Sequence, residues 1–346
     1  MSTKYNLALQ GGGAHGAFTW GVLHRLLLES SLEIASISGT SAGALNGAAV
    51  KSGLAKGSRE AAIEQLDLLW SDVGAITDDR FSGWINAMMP TMQNVTKSLD
   101  HSPGYMWFDM ASRAFSPYAY GPFYRNPLDP IVSKFHFDDV CAEKGPQLHI
   151  CATNVRSGKI RVFTGAEITA DVIMASACLP TMYQAVELDD PKTGRTEAYW
   201  DGGYTGNPAL FPLFDSELPD DIVIVNINPL YRHAIPQTPQ DIQNRINEIS
   251  FNSSLLREMR AIRFVKRLLE NGSLTRGSMK DVNVHMIADD TLMTDLSVAT
   301  KILPNPVTLE RLRKAGFEAA DQFVSKHGDK IGREGSVDLA EMFDET

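Results

Sequence analysis

Residues 5–43 read YNLALQGGGAHGAFTWGVLHRLLLESSLEIASISGTSAG, and this stretch decides the fold. The short apolar run Asn6–Gln10 predicts a strand, and after three glycines Ala14–Glu29 carries apolar side chains at helical spacing. Ile34–Ser38 predicts a second strand, and Ser41–Lys51 predicts a helix of small residues. Two successive strand–helix units predict parallel strands, as in an α/β fold.

The rest of the chain continues this alternation. We predict further strands at Gln147–Thr153, Lys159–Phe163, Glu197–Trp200, Ile222–Ile227 and Val282–Ala288. Long helices are predicted at Gln240–Asn271, where a break at Asn252–Ser254 stays open, and at Val307–Lys326. We therefore expect a three-layer α/β/α fold with a mostly parallel central sheet and a largely helical C-terminal extension.

The pattern changes within residues 78–125, which are rich in aromatic side chains and methionine and are interrupted by proline and glycine. A long irregular insertion of this kind is typical of a functional segment. Ordinary core packing or a dimer interface is an equal alternative for such apolar side chains.

Composition excludes several classes of protein. The net charge of −10 over 346 residues argues against a general nucleic-acid binder, which needs a basic surface. The chain lacks the usual signal-peptide pattern and any apolar run of about 20 residues that could span a bilayer. Three cysteines without C-x-x-C spacing predict neither a disulfide framework nor a zinc site. We expect a cytoplasmic protein.

The glycines of GGGAHG at 11–16 formally fit the dinucleotide-binding pattern G-x-G-x-x-G. That pattern also requires an acidic residue at the end of the next strand to bind the ribose. Glu33 precedes the strand Ile34–Ser38 and therefore lies at its wrong end. A phosphate-binding P-loop fails as well, because no Gly-Lys-Ser/Thr follows. Nucleotide binding is a minor alternative.

GTSAG at 39–43 fits the nucleophile elbow G-x-S-x-G, a sharp turn between a strand and a helix. Gly39 and Gly43 would avoid Cβ clashes around Ser41, and the following helix directs its free N–H groups toward charge that develops near Oγ. Because parallel strands end at one edge of a sheet, the loop Gly11–Gly13 can face Ser41. Its backbone N–H groups could then stabilise an oxyanion.

Acyl transfer at Ser41 also needs a base. Asp201 ends a predicted strand and is followed by Gly202 and Gly203, which suits a side chain presented at the carboxyl edge of the sheet. Asp-Gly-Gly is also a common turn, and alone it would more often be structural. The histidines that follow Ser41 lie in uninformative sequence contexts.

Together, GGGAHG, GTSAG about two dozen residues later, and DGG at 201–203 resemble the patatin-like phospholipases. Ala175-Ser176 and Asn207-Pro208 are similar to the pattern of that family as well. The resemblance covers residues 5–215, which we expect to form the acyl hydrolase core with the insertion 78–125. Residues 216–346 are expected to form a C-terminal extension packed on that core.

The resemblance implies a lipid acyl hydrolase that works through an acyl-enzyme without metal or cofactor. Ser41 would be the nucleophile, Asp201 the base and Gly11, Gly12 and Gly13 the oxyanion hole. Gly16, Gly39, Gly43, Gly202 and Gly203 would support these motifs. His15 stands where many members carry arginine or lysine, so we carry it over only as a candidate substrate contact whose charge would depend on pH.

Several alternatives stay open. The same elbow could transfer the acyl group to another acceptor or act on polyester granules, and the scaffold could have become a non-catalytic binder of lipid or protein. The expected partner is a lipid or acyl-ester substrate, compatible with peripheral contact at a membrane or lipid surface and with a homo-oligomer. The insertion 78–125 is interpreted as a lid or acyl-chain pocket.

Overall fold

The central sheet organises the part of the chain that the computed structural model describes, which is residues 2–80, 116–296, 299–302 and 304–344. Across these residues eight strands form one sheet: β1 (Thr3–Leu9), β2 (Leu32–Thr40), β3 (Gln147–Asn154), β4 (Ile160–Thr164), β5 (Val186–Asp190), β6 (Arg195–Asp201), β7 (Asp221–Asn226) and β8 (Asn283–Ala288). Hydrogen-bonded neighbours follow the path β5-β6-β3-β2-β1-β7-β8; β6 and β2 pair with successive parts of one edge of β3, and β4 pairs with its other edge. Strands β1, β2, β3, β7 and β8 are parallel to one another, whereas β4 and β6 run antiparallel to β3.

Helices lie on both faces of the sheet. Those of the described residues are α1 (Gly16–Leu28), α2 (Ala42–Lys56), α3 (Arg59–Arg80), α4 (Asp129–Val132), α5 (Phe137–Val140), α6 (Ala170–Ser176), α7 (Pro239–Glu270), α8 (Asp290–Asp295), α9 (Ala299–Ile302), α10 (Pro306–His327) and α11 (Leu339–Asp344). Short 3₁₀ turns follow β1 at Gly13–His15 and β6 at Gly202–Tyr204.

Two separate apolar clusters show the three layers. Because strand side chains alternate between faces, Leu7 and Leu9 pack in one cluster with α1, α2, α3 and α10, while Ala8 packs in the other with α7 and α11. The predicted α/β/α fold with a mostly parallel sheet and a helical C-terminal region is confirmed.

The predicted strands are all present, with bounds that differ by a few residues. The edge strand β5 was not predicted, because its polar sequence VELDD lacks an apolar run. The helix α7 continues unbroken through Asn252–Ser254. The Asn252 and Ser254 side chains bond to other segments, and the Ser253 hydroxyl donates to the Ser250 carbonyl within the helix, so none of them interrupts it.

The position of Glu33 agrees with its expected place at the amino end of β2, where it forms an ion pair with Lys4. Most of the predicted insertion 78–125, namely residues 81–115, lies outside the described residues. A division of the chain at residue 215 stays a prediction. The sheet itself continues past that point, since β7 pairs directly with β1.

Candidate active site

Ser41 occupies the sharp turn between β2 and α2. Its backbone angles are φ 54° and ψ −121°, and it is the one residue other than glycine with a positive φ among the described residues. Such a conformation costs on the order of 1–3 kcal/mol and persists only where surrounding contacts impose it. One of these contacts is the bond from the Ser41 amide to the Ser176 hydroxyl, 2.9 Å long, and Ser176 in turn donates to the Cys151 carbonyl at 2.7 Å.

The glycines around Ser41 permit backbone segments to touch. A Cβ atom at Gly39 would lie 2.5 Å from the carbonyl oxygen of Gly43, and one at Gly43 would lie 2.2 Å from that of Leu9. A Cβ at Gly16 would meet the Ala42 side chain at 2.6 Å. Each position therefore excludes larger residues through steric contact, and the turn is packed directly against the end of β1.

Strand β3 explains why Ser41 and Asp201 meet. Strands β2 and β4 both pair with its residues 149–151, and β4 and β6 both pair with residues 152–153. Because a strand has only two edges, β2 and β6 must share one edge of β3 and run toward each other along it. Thr40 pairs with Cys151 and Asp201 with the next residue, Ala152, so the two strands end head to head.

This arrangement corrects one step of the sequence argument. Asp201 does not reach the carboxyl edge at the end of a parallel strand, because β6 runs antiparallel to β3. It reaches the site because β6 pairs with only the last three residues of β3. A Cβ atom at Gly202 would lie 2.2 Å from the carbonyl oxygen of Cys151, which requires glycine at this close approach.

The Asp201 carboxyl group is buried, with 1% exposure. It accepts a 2.7 Å hydrogen bond from the amide of Gly203, and the Ser41 hydroxyl lies near enough to interact with it. Burial raises the pKa of Asp201 to about 7, while the Gly203 amide and the Ser41 hydroxyl favour its charged form and oppose the rise. A carboxyl group with a pKa near neutrality can accept and return a proton at that pH.

The groups near Asp201 remain protonated at neutral pH. Burial, reinforced by the Asp201 charge, raises the pKa of the Cys178 thiol to about 12. The same two causes raise the pKa of the Tyr204 phenol to about 12. Among the described residues no histidine ring forms a hydrogen bond with Ser41 or Asp201.

The glycine loop lies beside Ser41. A Cβ atom at Gly11 would be 2.6 Å from the Ser41 Cβ, so glycine is required for this approach. Gly13 has φ 59°, and a Cβ there would meet the Lys301 carbonyl oxygen at 2.3 Å. Within the described part of the chain, no acceptor receives the amide hydrogens of Gly12 and Gly13. These amides are therefore available to a bound oxygen.

A buried polar network holds this loop, and sequence reasoning missed most of it. The Gln10 side chain accepts from the amides of Ile227 and Asn228 and donates to Asn252 Oδ1 at 3.0 Å. The Gly11 amide donates to Asn207 Oδ1 at 2.7 Å. Buried polar side chains with complete hydrogen bonding specify one geometry. The sequence signal was asparagine and glutamine at the ends of β1 and β7.

The His15 ring bonds to Thr300, and within the described structure no hydrogen bond joins it to Ser41 or Asp201. The ring is fully buried, and Nε2 pairs with the Thr300 hydroxyl at 2.7 Å. Burial, together with the nearby Lys301 charge, holds its pKa well below the usual range, so the ring is neutral. The hydrogen bond between His15 and Thr300 attaches α9 to the end of the glycine loop. A direct substrate contact at His15 receives no support from this geometry and stays a prediction.

Replacing Ser176 by alanine is expected to lower the free energy of unfolding by about 1–3 kcal/mol, because the Ser41 amide and the Cys151 carbonyl would each lose a buried partner. Catalytic turnover should also fall, since the strained turn at Ser41 loses a restraint. Urea unfolding of the purified variant measures the stability change.

The matched control is Ser52→Ala. Ser52 is equally buried, but its hydroxyl has no hydrogen-bond partner in the described structure. We expect this change to leave stability nearly unaltered. Equal effects of the two substitutions would contradict a role for Ser176 in holding the turn.

Comparisons with known proteins give one family match and two similar solved structures. The family model for patatin-like phospholipases matches residues 7–214. VipD from Legionella pneumophila is similar at 15% identity over 97% of this chain and 72% of that one, with a TM-score of 0.41. The ExoU–SpcU complex from the type III secretion system of Pseudomonas aeruginosa matches at 19% identity over 96% of this chain and 61% of that one, with a TM-score of 0.34. A comparison with curated proteins gives no match.

Proposed function

The chain belongs to the patatin-like phospholipase family, and from this premise we propose that it hydrolyses fatty-acyl esters of lipids with Ser41 as nucleophile and Asp201 as base. The observation that carries the proposal is the strained backbone of Ser41 beside a buried carboxyl group, on strand ends that meet along β3, with the Ser41 hydroxyl favouring the charged form of that carboxyl group. Strain and a raised pKa both cost stability, and functional sites are where such costs are concentrated.

The reaction would proceed in two halves. Ser41 Oγ attacks the ester carbonyl while the Asp201 carboxylate takes the hydroxyl proton, which gives a tetrahedral intermediate. When that intermediate collapses, the bond to the alcohol breaks and Asp201 returns the proton to the leaving oxygen. Water then attacks the acyl-enzyme, with Asp201 again accepting a proton, and the fatty acid leaves Ser41 with its hydroxyl restored.

The glycine loop would stabilise the negative oxygen of each intermediate. In support, the free amides of Gly12 and Gly13 follow Gly11, whose backbone touches Ser41. Preorganised backbone donors need no reorientation during the reaction, and the loss of one such donor typically costs on the order of 3 kcal/mol of barrier.

We also propose that the insertion 78–125 covers the acyl chain. Its described end is tied to the segment next to the site, since the amides of Gln184 and Ala185 donate to the hydroxyls of Tyr124 and Tyr118. Tyr183 in the same segment is close enough to Asp201 for that charge to contribute to the rise in its pKa. Among the described residues no helix meets the length and apolarity needed to cross a bilayer. Contact with a lipid surface stays a prediction.

The pH dependence of kcat/KM should follow the ionisation of Asp201. Because the charged form acts as base and burial raises its pKa to about 7, activity should increase tenfold per pH unit below that value and level off above it. Initial rates on a soluble chromogenic ester between pH 5 and pH 9 give the profile.

Glu258 provides the control for this profile. Burial raises its pKa to about 7 as well, but its carboxylate accepts the amides of Leu210 and Phe211. We expect Glu258→Gln to keep the wild-type midpoint. If the midpoint disappears in Glu258→Gln, the assignment of the profile to Asp201 is wrong.

Labelling with a fluorophosphonate probe, combined with product analysis, tests the proposal as a whole. We expect the probe to modify Ser41, and phospholipid, lysophospholipid or neutral glyceride to release free fatty acid. Absence of labelling would favour the non-catalytic binder. Preferential formation of a new ester when an alcohol is added would favour acyl transfer.

A further inference from the structure

The peptide between Gly11 and Gly12 is fixed from outside the glycine loop. Asn228, which follows β7, donates from Nδ2 to the Gly11 carbonyl oxygen at 2.8 Å. Asn207 Nδ2 lies 3.4 Å from the same oxygen, while its Oδ1 accepts the Gly11 amide. Two consecutive peptide planes, on either side of the Gly11 Cα, are thereby held by asparagine side chains.

The orientation of the Asn228 amide follows from its neighbours. Lys301 Nζ lies 3.4 Å from one terminal atom, and an ammonium group has only donors, so that atom is Oδ1. The other terminal atom is then Nδ2, which faces the Gly11 carbonyl and also lies 3.2 Å from Gln10 Oε1. Asn228 is 1% exposed, so bulk water does not compete for these bonds.

The C=O and N–H groups of a trans peptide point in opposite directions because the peptide is planar. Fixing the Gly11 carbonyl toward Asn228 therefore aims the Gly12 amide away from Asn228. That amide has no acceptor among the described residues, although it is next to the residue whose backbone touches Ser41. Without the restraint, a glycine–glycine peptide could rotate at low steric cost.

We propose that Asn228 is a positioning residue that aims the Gly12 amide at the oxyanion formed on the substrate. The inference rests on the proposed hydrolysis at Ser41. It assigns part of the reaction to a residue beyond the segment matched by the family model, which ends at residue 214. The bond through which Asn228 acts is a single hydrogen bond to Gly11, so its loss should affect the transition state more than the bound ester.

The test is Asn228→Asp, with Asn228→Ala as a second variant. Asn228→Asp keeps the shape of the side chain and places its negative charge near Lys301. It replaces the Nδ2 donor by an oxygen that repels the Gly11 carbonyl oxygen. We expect kcat per fluorophosphonate-labelled site to fall about 10- to 100-fold in both, less than when an oxyanion donor is removed outright. KM should change less than about twofold, because the contact acts on the transition state.

A second readout separates positioning from general damage. A trifluoromethyl ketone forms a tetrahedral oxyanion on Ser41, so its inhibition constant should increase by the same factor as kcat/KM decreases. Inhibition by the product fatty acid should remain unchanged. The matched control is Asn6→Ala at the opposite end of the sheet, where a buried asparagine donates to the Pro219 carbonyl at 2.7 Å. It should lower stability and leave kcat per labelled site unchanged.

The outcomes distinguish the two proposals. Wild-type kcat in the Asn228 variants, together with inactive Ser41→Ala, would overturn the positioning role and leave the hydrolase assignment intact. Equal losses in the Asn6 and Asn228 variants, or parallel losses of ketone and fatty-acid binding, would also overturn it. Full turnover by Ser41→Ala would overturn both proposals.

Discussion

Ser41→Ala is expected to lower kcat for ester hydrolysis by at least about 10⁴-fold, because no other group can form the acyl-enzyme at that position. The fold should persist, since alanine keeps the Cβ atom and the backbone angles of the turn. Hydrolysis of a chromogenic acyl ester, measured beside a circular dichroism spectrum of the same sample, checks both statements. Retained turnover in a folded variant would refute the nucleophile.

Ser41→Gly extends this prediction to the backbone. Glycine adopts φ 54° without steric strain, whereas serine and alanine do not. We therefore expect the glycine variant to be as inactive as the alanine variant. It should be more stable by about 1 kcal/mol, because the relief of backbone strain exceeds the greater loss of chain entropy that glycine undergoes on folding. Urea unfolding of the two variants measures the difference. If the alanine variant is the more stable one, the turn stores no strain.

Asp201→Asn is the second large effect, with an expected loss in kcat of about 10³-fold or more, because an amide cannot accept the serine proton. The amide oxygen can still accept the Gly203 hydrogen bond, so the local structure should remain. Turnover of the chromogenic ester from pH 5 to pH 9 measures this loss. A variant that retains more than a tenth of wild-type kcat would exclude Asp201 as the base.

The same substitution should increase stability. The folded-state pKa of Asp201 lies near 7, above the value of 3.8 for a free carboxyl group, so the folded state binds the proton more tightly. The free energy of unfolding of the wild-type protein therefore decreases as pH rises from about 4 to about 7. Above pH 7 the stabilisation from the protonated Asp201 carboxyl group is lost. At pH 8 we expect Asp201→Asn to be more stable than wild type by about 2–4 kcal/mol, and at pH 3 the two should be alike.

Asp190→Asn is the matched control, since Asp190 is also a buried aspartate but has the opposite environment. Hydrogen bonds from Arg161, foremost among its contacts, lower the pKa of Asp190 to about 2. The stabilisation from the Asp190 carboxylate is fully present above about pH 4 and is lost as pH falls from there through about 2. Asp190→Asn should therefore destabilise the protein at pH 8 and leave kcat unchanged. A stabilised Asp190→Asn would contradict the electrostatic argument.

Local patterns in the sequence were sufficient for much of the fold. Apolar periodicity predicted the strands of the parallel sheet and the long helices, because each must bury one or both faces. It missed β5, whose edge position and antiparallel pairing leave its polar residues partly exposed. The small-residue motifs at 11–16 and 39–43 marked backbone approaches that no larger side chain permits.

The sequence by itself determined that a serine on a turn of small residues would follow the second strand, because only glycine permits the backbone contacts that such a turn makes. Only the tertiary structure decided how Asp201 reaches Ser41, through two strands that meet head to head on one edge of β3. It also decided which asparagines hold the glycine loop, since Gly11 and Asn228 are 217 residues apart in the chain. Hydrogen bonds between such distant residues leave no periodic signal, because they depend on strand register and not on spacing.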